Sequence, residues 1–228
     1  KDSSNFAKEL QDHCCKNGIP FYFDTANIEE ISSEEKARNW RYAKLCKRVD
    51  ELLNEEDSIS NWYILTGHTS TDNTETFLLN LARGSNYGGL AGIPKKRLLN
   101  DKYKLRRPIL IFSKQDTTSI CQSMKIPFWE DPTNLDLSIK RNLIRHKVLP
   151  YLDSIYPGYT HRINQFIEKM NKYSNEQKDL SKLAIEACRN KNGLKREILN
   201  SLGIDARSTI INHFIKEKST KQINSQNI

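Results

Sequence analysis

Apolar and polar positions along the chain fall into two rhythms, a short β-like one and a longer helical one, and they take turns. Residues 3 to 17 read as a helix that stops at Asn17-Gly18, and Ile19 to Phe23 follow as a short β-prone run. Ser32-Ser33-Glu34-Glu35 fits a capping box in which the Ser32 hydroxyl and the Glu35 carboxylate satisfy free amides. It opens a helix to about Leu53 whose apolar stripe is Leu45, Val49 and Leu52. Trp62 to Thr66 is the next apolar run, Gly67 to Ser70 a turn, and Asp72 to Arg83 a helix ending at Gly84. From Gly84 to Lys104 the chain is rich in Gly, Lys and Arg with little periodicity. It reads as a long loop, a kind that is functional or mobile in compact domains. Leu105 to Phe112 is a further strand candidate and Gln115 to Met124 a helix. Beyond Ser138 every segment reads as helix, with breaks at Pro150 and Pro157-Gly158, and the last nine residues are polar and expected to fray.

Strands alternating with helices predict parallel βαβ units: an α/β fold with a doubly wound, mostly parallel sheet that takes its ligands at the carboxyl ends of its strands. His68 and Asp72 fall at such an end. The loss of alternation divides the chain into an α/β domain over residues 1–150 and a smaller helical domain over 151–228.

Composition narrows the function classes. The 228 residues are 37% apolar, enough for ordinary cores, yet no run of about 18 apolar residues exists and no signal-peptide pattern opens the chain. Neither membrane insertion nor secretion is supported, and the expected location is the cytoplasm. The formal charge of +8 suits a polyanionic partner and equally suits a solvated lysine-rich surface. Five cysteines, Cys14, Cys15, Cys46, Cys121 and Cys188, contain no CxxC and form an odd set, so they indicate reduced thiols rather than a disulfide framework or a metal cluster.

Three stretches carry candidate chemistry. In Gly67-His68-Thr69-Ser70-Thr71-Asp72-Asn73-Thr74-Glu75-Thr76, Asp72 and Glu75 share one face of a first helical turn. They can hold Mg²⁺ or a substrate ammonium, or simply complement the helix dipole. In Ala37-Arg38-Asn39-Trp40-Arg41-Tyr42, stepping back along the buried stripe lands on Arg38, whose guanidinium needs a partner there, a structural carboxylate or a phosphate. In Asp131-Pro132-Thr133-Asn134 followed by Lys140-Arg141-Asn142-Leu143-Ile144-Arg145-His146-Lys147, a turn leads into a helix with Arg at i and i+4. That dense cationic patch suits RNA backbone or nucleotide phosphates, or it is a solvated face.

These motifs, with Arg83-Gly84, the Arg107-Pro108-Ile109-Leu110 strand and Leu149-Pro150, occur in the order found in tRNA(Ile)-lysidine synthases. Residues 1 to 155 resemble that family of N-type ATP pyrophosphatases (PP-loop enzymes), and the later helices resemble its smaller helical domain weakly. The resemblance implies an adenine nucleotide alpha hydrolase-like fold. It also implies an enzyme that uses ATP and Mg²⁺ to adenylate carbon 2 of the wobble cytidine in tRNA(Ile) with a CAU anticodon. The ε-amino group of L-lysine then displaces AMP, which changes the codon and amino-acid specificity of the tRNA. By motif position, Asp72 and Glu75 are the catalytic acidic pair, with Asp72 also the Mg²⁺ candidate. Arg38 and Arg141 are the catalytic cations, and His68 borders the ATP site. Arg83, Lys95, Lys96, Arg97, Lys140, Arg145 and Lys147 approach the tRNA. A homodimer and a plastid location are also compatible.

Two departures accompany the resemblance. Thr71 stands where the family carries the first of two consecutive aspartates. The Ser-Gly-Gly-x-Asp-Ser loop that grips ATP phosphates is absent from the sequence. In the family it precedes the segment resembling residues 1 to 20, and residue 1 here is Lys, so truncation is the expectation. The fragment alone is expected to bind ATP poorly, to be inactive and to leave a sheet edge open. The alternatives are a non-catalytic tRNA-binding remnant and an enzyme like tRNA 2-thiocytidine synthetase, a class that resembles a CxxC-containing cluster protein.

Overall fold

The computed structural model describes residues 3–53, 62–191 and 193–225. In order, α1 (Ser3–Lys16), α2 (Glu34–Leu52), β1 (Tyr63–Leu65), α3 (Ser70–Ala82), α4 (Tyr87–Leu90), β2 (Lys96–Leu99), β3 (Tyr103–Arg106) and α5 (Lys114–Ser123) build the α/β part. Next come α6 (Lys140–Leu143), a π-helical turn (Ile144–Val148), α7 (Leu149–Ile155), α8 (Tyr159–Cys188), α9 (Arg196–Ser201) and α10 (Ile204–Ser225). The chain divides into two compact units, Lys1–Ile167 and Glu168–Ile228, with the boundary inside α8.

Among the described residues the sheet has three strands in the order β1-β3-β2. β1 pairs with β3 in parallel, Ile64 opposite Leu105, as the alternation predicts, but the other pairing is antiparallel, so among the described residues the sheet is mixed rather than mostly parallel. β2 and β3 form an antiparallel hairpin, Leu99 opposite Tyr103, whose turn places Asn100 and Asp101 at positive φ, a region these two residue types tolerate. One sheet face and α2 bury Cys46, Val49, Ile64, Leu99, Tyr103 and Leu105, flanked by Tyr42, Leu45 and Trp62. The hairpin is also pinned to α2 by polar bonds, since Asp50 accepts from the Tyr103 hydroxyl at 2.6 Å and from Lys102 at 2.9 Å. In the second unit Ile185, Cys188 and Ile210 form a small core closed by Leu194, Ile198, Leu199 and Leu202.

Several boundaries differ from the sequence reading. The segment read as a loop, Gly84 to Lys104, contains α4 and β2 and the start of β3. The strand expected from Leu105 to Phe112 ends at Arg106, because the Arg107 guanidinium turns inward to the Pro94 carbonyl and Pro108 has no N–H for a ladder. Ile19 to Phe23 is not a strand and has no ladder partner among the described residues. Ser33, not Ser32, caps α2, accepting the Lys36 N–H at 3.2 Å. Pro150 does not break the helical run; it sits at the start of α7, directly after the π-helical turn Ile144–Val148. The end expected to fray is helical to Ser225, and residues 226–228 lie outside the described part.

Candidate active site

The His-led motif lies where β1 ends and α3 begins. Thr66 closes the sheet by donating its N–H to the Arg106 carbonyl at 3.1 Å, and its hydroxyl holds His68 Nδ1 at 3.0 Å. Thr69 then caps α3 in a reciprocal box: Asp72 Oδ2 accepts from the Thr69 N–H at 2.8 Å and from its hydroxyl at 2.7 Å, while the Asp72 N–H reaches Thr69 Oγ1 at 3.3 Å. Asp72 therefore complements the helix dipole, as the plainest reading of the motif requires, and one of its oxygens stays available for other work. Thr71, at the position of the usual first aspartate, accepts the Lys114 N–H at 3.0 Å and so ties the start of α5 to the start of α3.

One turn along α3, Glu75 is fully buried between two guanidiniums. Arg141 Nε donates to Glu75 Oε2 at 2.7 Å and Arg145 Nε to Oε1 at 2.6 Å. The Nη2 groups of both arginines meet on Asp72 Oδ1, at 3.2 and 3.3 Å. Two carboxylates and two guanidiniums thus make a tetrad, to which the exposed Glu34 adds a longer contact of 3.8 Å on Arg141 Nη1. Burial pushes the Asp72 carboxyl up, but the Thr69 amide and hydroxyl together with Arg141 and Arg145 outweigh it and hold the group below the ordinary aspartate range. For Arg145 burial lowers the guanidinium, and the Glu75 bond and charge override it and raise it.

The Asp131-Pro-Thr-Asn turn explains how Arg141 arrives. Asp131 caps the 3₁₀ turn Pro132–Leu135 by accepting from Thr133 N–H at 2.9 Å. The buried Asn142 amide donates to the Thr133 and Asp136 carbonyls at 2.9 and 3.0 Å, locking that turn onto α6 beside Arg141. The sequence reading passed over Asn142, although it lies between the two cations of the motif. The π-helical turn Ile144–Val148 follows immediately, a feature that recurs at functional sites.

Above the tetrad opens a cavity of about 710 Å³ lined by Arg38, Arg41, Tyr42, Leu45, Leu65, His68, Asp72, Asn134, Arg141 and Arg145. Its size is that of a small-molecule site. Arg38 was expected in the buried stripe with a partner. It is instead exposed at the wall of the cavity, and it makes no ion pair or hydrogen bond among the described residues. Arg41 shares that condition, and the sequence reading did not single it out. Burial, followed by the Arg107 charge, lowers His68, with Asp72 opposing and Arg141 and Arg41 adding to the shift, which favours the neutral imidazole.

Apolar walls, an imidazole favoured in its neutral form and two unpaired arginines fit an anionic nucleotide. A protein-held metal fits poorly. Every oxygen of Asp72 and Glu75 already accepts from Thr69 or an arginine, and no group of three or more His, Cys, Asp or Glu side chains converges among the described residues.

Of the residues assigned to tRNA, Arg145 is turned inward to the tetrad and has only 17% of its side chain exposed. Lys95, Lys96, Lys140 and Lys147 are exposed, as is Arg83 at the far end of α3. Arg97 is exposed and lies over the ring of Tyr42, a cavity-lining residue, 4.9 Å from its centroid. No described helix is long and apolar enough to cross a membrane.

Residues 1–152 match the PP-loop domain family. The tRNA(Ile)-lysidine synthase of Prochlorococcus marinus subsp. pastoris is 57% identical over 228 residues, which are all of this chain and 68% of that protein. A second Prochlorococcus marinus protein of the same name is 36% identical over 226 residues, 99% of this chain and 67% of its own length. The chloroplastic tRNA(Ile)-lysidine synthase of Gracilaria tenuistipitata var. liui is 29% identical over 227 residues, 98% of this chain and 68% of that protein. With a PP-loop domain, the α/β fold that domain implies, and relatives this similar over its whole length, the chain belongs to the tRNA(Ile)-lysidine synthase family.

Proposed function

We propose that the chain performs the family's reaction, the ATP-dependent ligation of L-lysine to carbon 2 of the wobble cytidine in CAU-anticodon tRNA(Ile). The observation supporting the site assignment is convergence: Arg38, His68, Asp72 and Arg141, drawn from three separated motifs, line one cavity with Glu75 directly beneath it. ATP supplies the adenylyl group that turns the base oxygen into a leaving group, and the lysine ε-amine takes its place as AMP departs. Arg38 is the catalytic cation that balances the phosphate charge, Arg141 is the catalytic cation that holds the acidic pair at the edge of the cavity, and His68 borders the nucleotide. Asp72, which lines the cavity, takes the lysine ammonium by exchanging an arginine contact for it, and buried Glu75 acts from beneath by holding Arg141 and Arg145 in place. Mg²⁺ enters with the nucleotide phosphates rather than on Asp72. Arg83, Lys95, Lys96, Arg97, Lys140 and Lys147 meet the tRNA, and Arg145 serves that surface from behind by holding the acidic pair.

In this reading residues 1–150 are the catalytic domain, 151–228 a helical domain, and the protein works in the cytoplasm or a plastid stroma, with a homodimer allowed. The 2-thiocytidine and non-catalytic readings are not favoured, since the named relatives are lysidine synthases. The test follows labelled lysine into CAU tRNA(Ile) with ATP and Mg²⁺, using the chain alone and the chain extended in front of residue 1 by a segment carrying the Ser-Gly-Gly-x-Asp-Ser loop. Label in the RNA from the extended chain, abolished by D72A, is the expected result. No label from either one removes the assignment.

A further inference from the structure

The face of α3 that turns away from the arginine tetrad carries Asn73 and Asn80. They are seven residues apart, two helical turns, so they stand one above the other. Both bind backbone of the same segment. Asn73 Oδ1 accepts the Ile93 N–H at 2.6 Å, and Asn80 Nδ2 donates to the Gly89 carbonyl at 2.8 Å. A third tie, from the Ser85 N–H to the Asn80 carbonyl at 3.0 Å, anchors the start of that segment.

Asn73 is 5% exposed and its amide orientation follows from its neighbours: an N–H on one side requires the oxygen there, which leaves Nδ2 for Asn164 Oδ1 at 2.7 Å. Asn164 is fixed in turn, its own Nδ2 donating to the Ser70 and Thr160 carbonyls and to Thr74 Oγ1 at 2.8 to 3.1 Å. Gly92, at φ +67°, has no room for a Cβ because Asn73 Oδ1 and Ile167 occupy the space, so the segment lies directly on the asparagine. Immediately beyond it, Arg107 takes the Pro94 carbonyl with its guanidinium, and the Arg107 N–H takes the Lys95 carbonyl at 3.1 Å. Lys96 and Arg97 follow at once.

We propose that Asn73 and Asn80 are positioning residues for tRNA. They hold the backbone of residues 85–93 against the helix that bears Asp72 and Glu75, and thereby fix where the basic residues 95–97 present themselves relative to the acidic pair. The inference rests on the assignment of residues 95–97 to tRNA made above. Asn73 neighbours Asp72 in sequence but points away from it, and the acidic pair is held independently by Arg141 and Arg145. Losing the clamp therefore frees the tRNA-facing segment without disturbing the tetrad.

The experiment measures tRNA(Ile) dissociation constants by filter binding, and deuterium uptake over residues 85–97, for the chain and its N73A, N80A and N164A variants. Loss of one buried amide bond corresponds to roughly tenfold, so N73A should weaken tRNA binding by about tenfold and N80A, which is less buried, by about threefold. Both should speed exchange over 85–97. N164A removes the prop behind Asn73 but not its bond to Ile93, so it should lower the melting temperature while leaving tRNA affinity within about twofold. Equal tRNA affinity in all four proteins, or an N164A loss matching that of N73A, overturns the clamp and leaves the lysidine assignment standing. Absence of tRNA binding by the unaltered chain overturns both. The predicted binding pattern without lysidine formation by the extended chain keeps the clamp and removes the assignment.

Discussion

Four arginines line the same cavity, and they divide into two pairs with opposite surroundings. Arg141 and Arg145 are spent on Asp72 and Glu75, with the Glu75 carboxylate wholly out of water. Arg38 and Arg41, on α2, reach the same space with no partner among the described residues. The difference teaches that the cationic motifs of one site do different physical work. One pair neutralises buried carboxylates and sets their geometry; the other keeps its charge for something that enters. The largest effect that can break the comparison lies in the first pair. Glu75→Ala leaves two guanidiniums beside a single carboxylate, and removing one member of a buried ion cluster costs about 3–5 kcal/mol. Denaturant unfolding of E75A should show a loss of that order, and a loss below about 1 kcal/mol would mean the tetrad is not a structural unit.

A smaller effect sharpens the same point through pH. Asp72 is held below the ordinary aspartate range in the folded chain, so the stability it contributes is fully present above that range and is lost as pH falls through the folded value. Unfolding midpoints followed from neutral pH into the acid range should therefore fall more steeply for the unaltered chain than for D72N, and the gap between them should close on acidification. Parallel curves would show that the surrounding cations do not act on this carboxyl.

How far the sequence reached differs between these parts for physical reasons. Period-3.6 apolar spacing and a cap chemistry that needs only neighbouring residues placed α2, α3 and α5 within a residue or two. The β2–β3 hairpin escaped because Lys96, Arg97 and Lys104 occupy strand positions and the turn uses Asn-Asp rather than glycine, so local composition resembles a loop. At the site, spacing along α3 was enough to join Asp72 to Glu75. It could not show that Arg145 turns inward, because that depends on a partner 70 residues away and on the π-helical turn that presents it. Asn142 and Asn73 were illegible for a related reason: their bonds go to backbone carbonyls and amides, which leave no trace in side-chain pattern.

The second pair makes a prediction in binding rather than stability. Exposed and unpartnered, Arg38 and Arg41 should be removable with changes within about 0.5 kcal/mol in unfolding free energy. A charged hydrogen bond lost to an anion amounts to roughly tenfold or more, so R38A and R41A should each weaken inorganic pyrophosphate binding by about that factor, measured by titration calorimetry. Unchanged pyrophosphate affinity in the double variant would place the anion elsewhere in the cavity.

The smallest effect is expected at the exposed lysines outside the cavity, and its form matters more than its size. Lys96, Lys140 and Lys147 are surrounded by solvent, and a lysine in that setting acts on RNA as a screened point charge that releases about one counterion from the phosphate backbone. Each single alanine variant should therefore weaken tRNA binding by only several-fold at moderate salt, reduce the slope of log affinity against log salt by somewhat under one, and leave stability untouched. Arg145, carrying the same charge on the same motif, should behave in the opposite way. R145A should lose stability through the unpaired Glu75 and keep the salt slope, because its charge already has a partner before RNA arrives. If R145A lowered the salt slope as the lysines do, its guanidinium would have to leave the tetrad when tRNA binds, and the division between the paired and unpaired cations would describe only the free protein.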